Sequence, residues 1–246
     1  MNHHAKQAGR AGWRRRAGIL LLLLAAAVLL AMGYRPLLRA AARPLICDQS
    51  PRGEFLCLQG DERGASGEKC LDRAADWCRE ASSHRILLLA PCRSRIVQIG
   101  AVASFEENSR RALARLGVPD RVIQPIPGAG RDDWERAGLL KTFLADHPRA
   151  ELALVCSRFR GGLTRHVLDA VLGAEAATRV TVLGLPSAAY DETCWWRSRD
   201  GMKEFAYAWL GLACAWWEGA DRVVPQPWTV AEYQALLGRT FGEAPR

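Results

Sequence analysis

The amino-acid sequence predicts an α/β domain, built on a single, mainly parallel sheet of about five strands and preceded by one N-terminal transmembrane helix. Three observations carry this prediction. Five short runs of the chain are continuously apolar, which is typical of strands buried on both faces of a sheet. Helical stretches separate these runs, and this alternation favours an open, doubly wound sheet. Ahead of them, residues 17–34 form an uncharged stretch of the length that a helix needs to span a bilayer.

Strands and helices are predicted to alternate from residue 54 to residue 217. The clearest local signal is at Ser104, which has Glu107 three residues later, the spacing of a capping box at the start of a helix. Right-handed crossovers place the loops that follow the strands on one edge of the sheet, where such folds bind ligands. The predicted strands are Glu54–Leu58, Arg85–Ala90, Arg121–Ile126, Leu152–Cys156 and Arg179–Leu183, and the predicted helices are Glu68–Ala81, Ser104–Leu116, Asp132–Ala145, Leu163–Leu172, Gly201–Trp217 and Thr229–Leu237.

The charge of the chain is concentrated at its N-terminus. The 246 residues include 34 Lys and Arg against 26 Asp and Glu, a formal charge of +8. Residues 1–43 contain eight of the cations and no Asp or Glu, so the remainder of the chain is neutral. A nucleic-acid groove needs a clustered basic face on the folded domain, and the charge distribution gives no support for one. We therefore expect no nucleic-acid partner.

The apolar stretch and its flanking charges predict a membrane topology. Five cations precede residues 17–34 and three follow them, which favours a cytoplasmic N-terminus and an exported domain. We expect a single-pass protein of the plasma (inner) membrane. A cleaved signal peptide is the alternative, because Ala31-Met32-Gly33 has the form of a cleavage site. The predicted organisation is a basic tail at 1–16, an anchor or signal sequence at 17–34, a stalk at 35–53, the α/β domain at 54–220 and a C-terminal extension with a short helix at 221–246.

Eight cysteines follow the apolar stretch. An even number in an exported domain permits disulfides, and we expect one or two bridges at most. No C-x-x-C pair occurs, so the usual spacing of a structural zinc site is missing and no metal ligands are predicted. The missing C-x-x-C pair also disfavours a thiol oxidoreductase.

Three loops of the predicted ligand-binding edge carry candidate functional groups. Arg131 to Glu135 open the predicted helix Asp132–Ala145, and Ser157 to Gly162 supply one hydroxyl and two guanidiniums. Cys194 to Gly201 pair two tryptophans with two arginines. Arginine recognises phosphate or carboxylate through paired hydrogen bonds. The tryptophans could stack on a planar or sugar-like ligand, or plug the core, and both readings stay open.

Taken in order, these stretches resemble the SanA/ElyC/YdcF family of bacterial envelope proteins. The resemblance covers about residues 54–217 and implies a Rossmann-like domain carried on one membrane helix. It also implies a role in cell-envelope biogenesis or integrity, with envelope metabolites or envelope-biogenesis proteins as partners, but it names no reaction and no cofactor. The matching segments are the turn at Leu56–Gly60, Leu113–Pro119 (LARLGVP), Arg131–Glu135 (RDDWE), the strand leading into Ser157, and the tryptophan pair before the helix with Glu204.

The sequence departs from the family pattern at several positions of the candidate site: the family's next Arg falls on Gly162 or Leu163, and the glycine-rich turn after the first strand is reduced to Gly60. Arg160 stands where the family has His, Cys156 stands for Thr, and Asp133 stands for Thr. A guanidinium does not deprotonate at physiological pH, so Arg160 can hold an anion but cannot carry a proton. The catalytic candidates are Glu135 and Ser157; the ligand-binding candidates are Gly60, Asp61, Arg131, Ser157, Arg158, Arg160, Trp196, Arg199 and Glu204.

Two functions follow from these candidates. The first is a membrane-anchored envelope protein with a pocket for a small anionic ligand, nucleotide-like or a lipid or sugar phosphate. The second is a non-catalytic, membrane-tethered interaction or regulatory protein in which the family site has degenerated. Glu135 also fits a structural role, since a carboxylate at a helix N-terminus is favoured by the helix dipole. Whether the protein is an enzyme is left open.

Overall fold

Five parallel strands form one sheet in the computed structural model, which describes residues 33–60, 68–81, 83–92, 97 and 100–219. The strand order is β3-β2-β1-β4-β5, and every neighbouring pair is parallel. The predicted α/β fold with a single parallel sheet is therefore confirmed. The strands are β1 (Phe55–Gln59), β2 (Arg85–Leu89), β3 (Ile123–Pro125), β4 (Leu152–Ser157) and β5 (Val180–Leu185).

The helices follow the predicted alternation closely. Gly173, at φ 78°, interrupts α5 at the position where the sequence predicted its end, but the chain resumes a helical course for five residues beyond it. The helix predicted at 229–237 lies outside the described residues. The helices are α1 (residues 33–42), α2 (Glu68–Glu80), α3 (Phe105–Arg115), α4 (Asp133–Asp146), α5 (Gly161–Thr178) and α6 (Arg199–Glu218).

Helices cover both faces of the sheet. On β1, Phe55 and Cys57 face a core to which α4 and α5 contribute, whereas Leu56 and Leu58 face a second core to which α2 and α3 contribute. All four of these β1 side chains are buried. This two-sided burial explains why the strands appear in the sequence as continuous apolar runs rather than alternating ones.

The strand order reverses between β1 and β4. The chain builds outward from β1 to β2 and β3, then returns through α4 to place β4 on the other side of β1. In open α/β sheets, such a reversal leaves a crevice at the carboxyl ends of the two strands. Gly60 follows β1 and Ser157 ends β4, so both lie at this crevice.

Residues 35–53, expected as a stalk, lie against the domain over much of their length. Leu38, Ala42, Leu45 and Ile46 follow a helical spacing and pack into a third core cluster together with α6. This apolar side gives the segment a surface to bury. Beyond it, residues 47–49 run along the outer edge of β5, where the backbone N–H of Gln49 donates to the Val182 carbonyl at 3.1 Å.

Two hydrogen bonds also fasten α1 to the domain. Trp209 Nε1 donates to the Ala41 carbonyl at 2.9 Å, and Arg39 Nε donates to the Thr193 carbonyl at 3.3 Å. None of the helices in the described ranges is long and apolar enough to cross a membrane. The predicted membrane segment at 17–34 falls outside those ranges apart from its last two residues, and the predicted tail at 1–16 and extension at 221–246 fall outside them entirely.

The capping box predicted at Ser104 is confirmed, and it generates a stability prediction. Ser104 Oγ accepts from the Glu107 backbone N–H at 3.2 Å, and the Ser104 N–H donates to the Glu107 carboxylate at 3.0 Å. We expect Ser104→Ala to lower the free energy of unfolding by about 1 kcal/mol, measured by urea denaturation. Ser50→Ala is the matched control, because Ser50 is exposed and lies outside any helix. Equal effects of the two substitutions would contradict the capping role.

Candidate functional site

A cavity of about 530 Å³ opens at the carboxyl ends of the strands, beside the point where the strand order reverses. A larger cleft, about 720 Å³, lies beside the amino end of β5. Arg52 and Arg165 line this cleft, and Arg165 donates to the carbonyls of Val180 and Ala177 and pairs with Asp169. Because Arg165 serves the fold, the cavity at the carboxyl ends is the better candidate. Its polar lining consists of Arg131, Asp132, Asp133, Arg136, Ser157, Arg160 and Glu204.

Arg136 is the buried centre of this lining, with 6 % of its surface exposed. Its Nη1 donates to the Gly60 carbonyl at 3.0 Å, and its Nε donates to the Asp132 carbonyl at 3.1 Å. Its Nη2 lies 3.5 Å from Asp133 Oδ1. The guanidinium therefore ties the end of β1 to the start of α4.

A glycine makes room for this arginine. A Cβ on Gly130 would lie 2.4 Å from Arg136 Cγ and 2.9 Å from its backbone nitrogen. Any side chain at Gly130 would thus displace Arg136 from the crevice. The glycine in the turn before α4 makes room for a protein side chain. In phosphate-binding turns, by contrast, glycines let the backbone approach a phosphate.

Asp133 joins two arginines that come from different elements. Its Oδ2 accepts from Arg160 Nη2 at 2.6 Å, while its Oδ1 faces Arg136. Arg160 ends the short 3-10 helix Arg158–Arg160 that follows β4. Asp133 keeps 16 % of its side chain exposed and Arg160 keeps 42 %. The three residues form a charged chain across the crevice, and its Arg160 end is open to solvent.

Arg131 and Glu135 form a second pair at the start of α4. The Glu135 carboxylate accepts from the Arg131 backbone N–H and from its Nε, both at 2.7 Å, and also from its Nη2. Hydrogen bonding to Glu135 raises the pKa of Arg131. Arg131 lines the cavity and Glu135 does not. Glu135, predicted as a catalytic candidate, therefore positions Arg131 in this structure.

Glu204 also lines the cavity, from the second turn of α6. Its Oε2 accepts from the Tyr190 hydroxyl at 2.7 Å. Burial raises the pKa of Tyr190, and the bond to Glu204 raises it further, so the tyrosine remains a donor over the physiological range. Ser157 is the serine hydroxyl of the lining, and its neighbours in the described lining include carboxylates but no histidine. The imidazole base of serine hydrolases is therefore missing there.

Three of the predicted ligand-binding residues lie elsewhere. Arg158 turns toward Asp48 and Glu192, at 3.1 and 3.2 Å, and Arg199 is exposed at the first residue of α6. Trp196 packs in the third core cluster, where its ring meets Trp195 edge-on at 5.8 Å. Of the remaining candidates, Gly60 contributes its carbonyl to Arg136, and Asp61 lies outside the described residues.

Cys156, which precedes Ser157, is unsuited to nucleophilic chemistry. All eight cysteines are free thiols, and burial raises the pKa of Cys156 to about 12. A thiol with that pKa is protonated at neutral pH, and the thiolate is the reactive form. In the part of the chain that the structure describes, no group of three or more His, Cys, Asp or Glu side chains is placed to hold a metal ion.

Opposite charges balance within the cavity. Its lining has three guanidiniums, on Arg131, Arg136 and Arg160, and three carboxylates, on Asp132, Asp133 and Glu204. A ligand with several negative charges would meet as many like charges as opposite ones. The lining therefore suits a monoanion or a zwitterion better than a polyanion.

The comparisons with known proteins add no relative: no protein-family model, curated protein or solved structure matches the chain.

The buried arginine generates a prediction about stability. We expect Arg136→Met to lower the free energy of unfolding of the full-length protein by about 3 kcal/mol, because it leaves the carbonyls of Gly60 and Asp132 without the guanidinium donor and removes one partner of the ion pair with Asp133. Arg131→Met is the control, since Arg131 is 37 % exposed and pairs within one helical turn. Its loss should cost at most about 1 kcal/mol. Urea denaturation measures both, and similar losses would show that Arg136 does not hold the crevice together.

Proposed function

We propose that this protein is a membrane-anchored, exported protein of the bacterial cell envelope, and that its Rossmann-like, doubly wound domain binds a small anionic ligand. The ligand site is the cavity at the carboxyl ends of the strands. The observation that carries the proposal is the pair of ion pairs that Asp133 makes with Arg136 and Arg160. These three side chains lie across the crevice where the strand order reverses. Ligands of doubly wound folds bind at that position.

Arg160 is the residue through which the ligand would be recognised. Its guanidinium is partly exposed, and Asp133 holds it in place on the cavity wall. A phosphate or carboxylate would accept hydrogen bonds from the face of Arg160 that points into the cavity, with the Ser157 hydroxyl as a further donor. Asp133 competes with the ligand for the same guanidinium, which keeps affinity moderate and favours ligands of low charge.

The envelope assignment rests on two features of the sequence. The resemblance to the SanA/ElyC/YdcF family implies an envelope role, and the uncharged residues 17–34 with their flanking cations imply a membrane anchor. The structure is compatible with such an attachment, because α1 contains the last two residues of the apolar stretch and is hydrogen-bonded to the domain. A tether packed in this way would hold the domain close to the bilayer.

A second candidate function is a membrane-tethered interaction or regulatory protein without catalysis. Helix α6 favours it, because Tyr207, Leu210, Trp216 and Trp217 expose 67, 62, 54 and 93 % of their surface. Exposed apolar side chains gathered on one helix often mark an interaction surface. The neutral balance of charge in the cavity agrees with this candidate as well.

Anion binding by the full-length protein in detergent separates the two candidates. We expect glycerophosphoglycerol, a phosphodiester with one negative charge, to bind the wild type in isothermal titration calorimetry and to bind Arg160→Gln at least about tenfold more weakly, because a charge-assisted pair is lost. Asp133→Asn should bind more tightly, since it removes the competing carboxylate. Arg199→Gln is the control, because Arg199 is a surface arginine outside the lining. Absence of any heat from the wild type would favour the interaction candidate.

A further inference from the structure

We infer that the ligand of the cavity is an amphiphile taken from the bilayer: a membrane lipid whose headgroup carries at most one net negative charge. Its headgroup lies at Arg160, and its apolar tail lies between α5 and α6. The inference rests on the proposed function and deepens it, because it names the class of ligand.

The cavity has two chemically different halves. The polar half, described above, lies beside the end of β4 and the start of α4, and it includes Glu204, which stands on α6 one turn before Tyr207 and Ala208. The other half is walled by Phe159, Leu163, Tyr207, Ala208 and Gly211, which are apolar apart from the Tyr207 hydroxyl. A small hydrophilic anion would fill the first half and leave the second to water, at a cost in free energy. An alkyl chain attached to the anion fills both.

The absence of a side chain at Gly211 contributes to the width of the apolar half. A Cβ built on this residue would meet a single neighbour within 4 Å, the tip of Leu163 at 3.2 Å. The Cβ of any larger residue would therefore press on the tip of Leu163, which also lines the cavity. A larger side chain at this position would shift that tip and narrow the apolar half.

The apolar half continues to the protein surface. Tyr207 lines the cavity and is also 67 % exposed, and Leu210, three residues along the same side of α6, is 62 % exposed. These two side chains form an apolar path out of the cavity. A ligand that enters from water needs no such path, whereas a ligand that leaves a bilayer does.

Helix α6 is packed against the chain that leads to the predicted membrane segment. Tyr34, the last residue of that segment, contacts Trp196 with ring centroids 6.4 Å apart, and Trp209 of α6 is bonded to Ala41. Tyr207 and Gly211 lie about 12 and 18 Å along α6 from its first residue. The apolar half of the cavity therefore belongs to the same packed unit as the predicted bilayer boundary.

The balance of charge selects among lipids. Three guanidiniums face three carboxylates in the lining, so a headgroup with one phosphodiester satisfies Arg160 without placing further negative charge beside Asp132, Asp133 and Glu204. Nucleotides and lipid diphosphates carry more charge than this lining compensates.

Native mass spectrometry of the full-length protein, in a polyoxyethylene detergent without charge, tests the inference. The probes are dioleoyl phosphatidylglycerol and glycerophosphoglycerol, which is the same headgroup without acyl chains. We expect the lipid to bind the wild type at least about tenfold more tightly than the headgroup alone. Gly211→Leu should abolish this advantage and leave headgroup binding unchanged, because each methylene group excluded from the groove costs roughly fourfold in affinity. Arg160→Gln should weaken both probes.

Gly138→Leu is the matched control, since Gly138 lies in a helix outside the cavity and a Cβ there meets no atom within 4 Å. It should bind both probes as the wild type does. Equal binding of lipid and headgroup by the wild type, or an unchanged lipid advantage in Gly211→Leu, would overturn the lipid inference and leave the anion site standing. Binding of neither probe would overturn the proposed function itself.

Discussion

The guanidinium of Arg136 is the interaction on which the candidate site depends. A charge buried to this extent is tolerated only when it is paired and its donors are satisfied. Arg136 meets that condition by bonding to the carbonyls of Gly60 and Asp132 and by facing Asp133. Those partners come from the end of β1 and the start of α4, so one desolvated group fixes the relative position of both. Asp133 is fixed with them, and Asp133 in turn holds Arg160.

This arrangement is possible because of the strand order. The reversal between β1 and β4 separates the loops after these strands and opens a crevice between them. Arg136 spans the floor of the crevice, and α6 closes one side through Glu204 and Tyr207. Trp209 of α6 also donates a hydrogen bond to Ala41 of α1. The same helix therefore forms a wall of the cavity and holds the N-terminal segment against the domain.

Local patterns predicted most of the fold, whereas long-range packing decided much of the site. The five apolar runs and the Ser104 capping box are local, and the structure has them where the sequence placed them. Arg136 was missed because an arginine inside a helix resembles a solvated residue. A signal was present, since Arg136 shares the buried side of α4 with Ala137, Leu140 and Leu144.

Arg158 and Trp196 show the opposite case. Both stand in loops at the ligand-binding edge, so their chemistry made them candidates. Arg158 is drawn instead to Asp48, which is 110 residues away in the sequence. Trp196 packs beside α1, most of which belongs to the segment expected to be a stalk. No pattern within either loop encodes such a distant partner, and the packing of residues 35–49 therefore had to be seen before the lining of the cavity could be defined.

Two charged residues of the lining that come from different elements are in contact with each other. Arg160 follows β4 and Asp133 opens α4, and their side chains form an ion pair at 2.6 Å. An arginine placed on this wall alone would lack a partner, whereas here each charge is matched by one of opposite sign across the crevice. The lining as a whole has three guanidiniums and three carboxylates, so its formal charge is zero. Because a guanidinium does not deprotonate at physiological pH, this pairing favours recognition by fixed charge over proton transfer at Arg160.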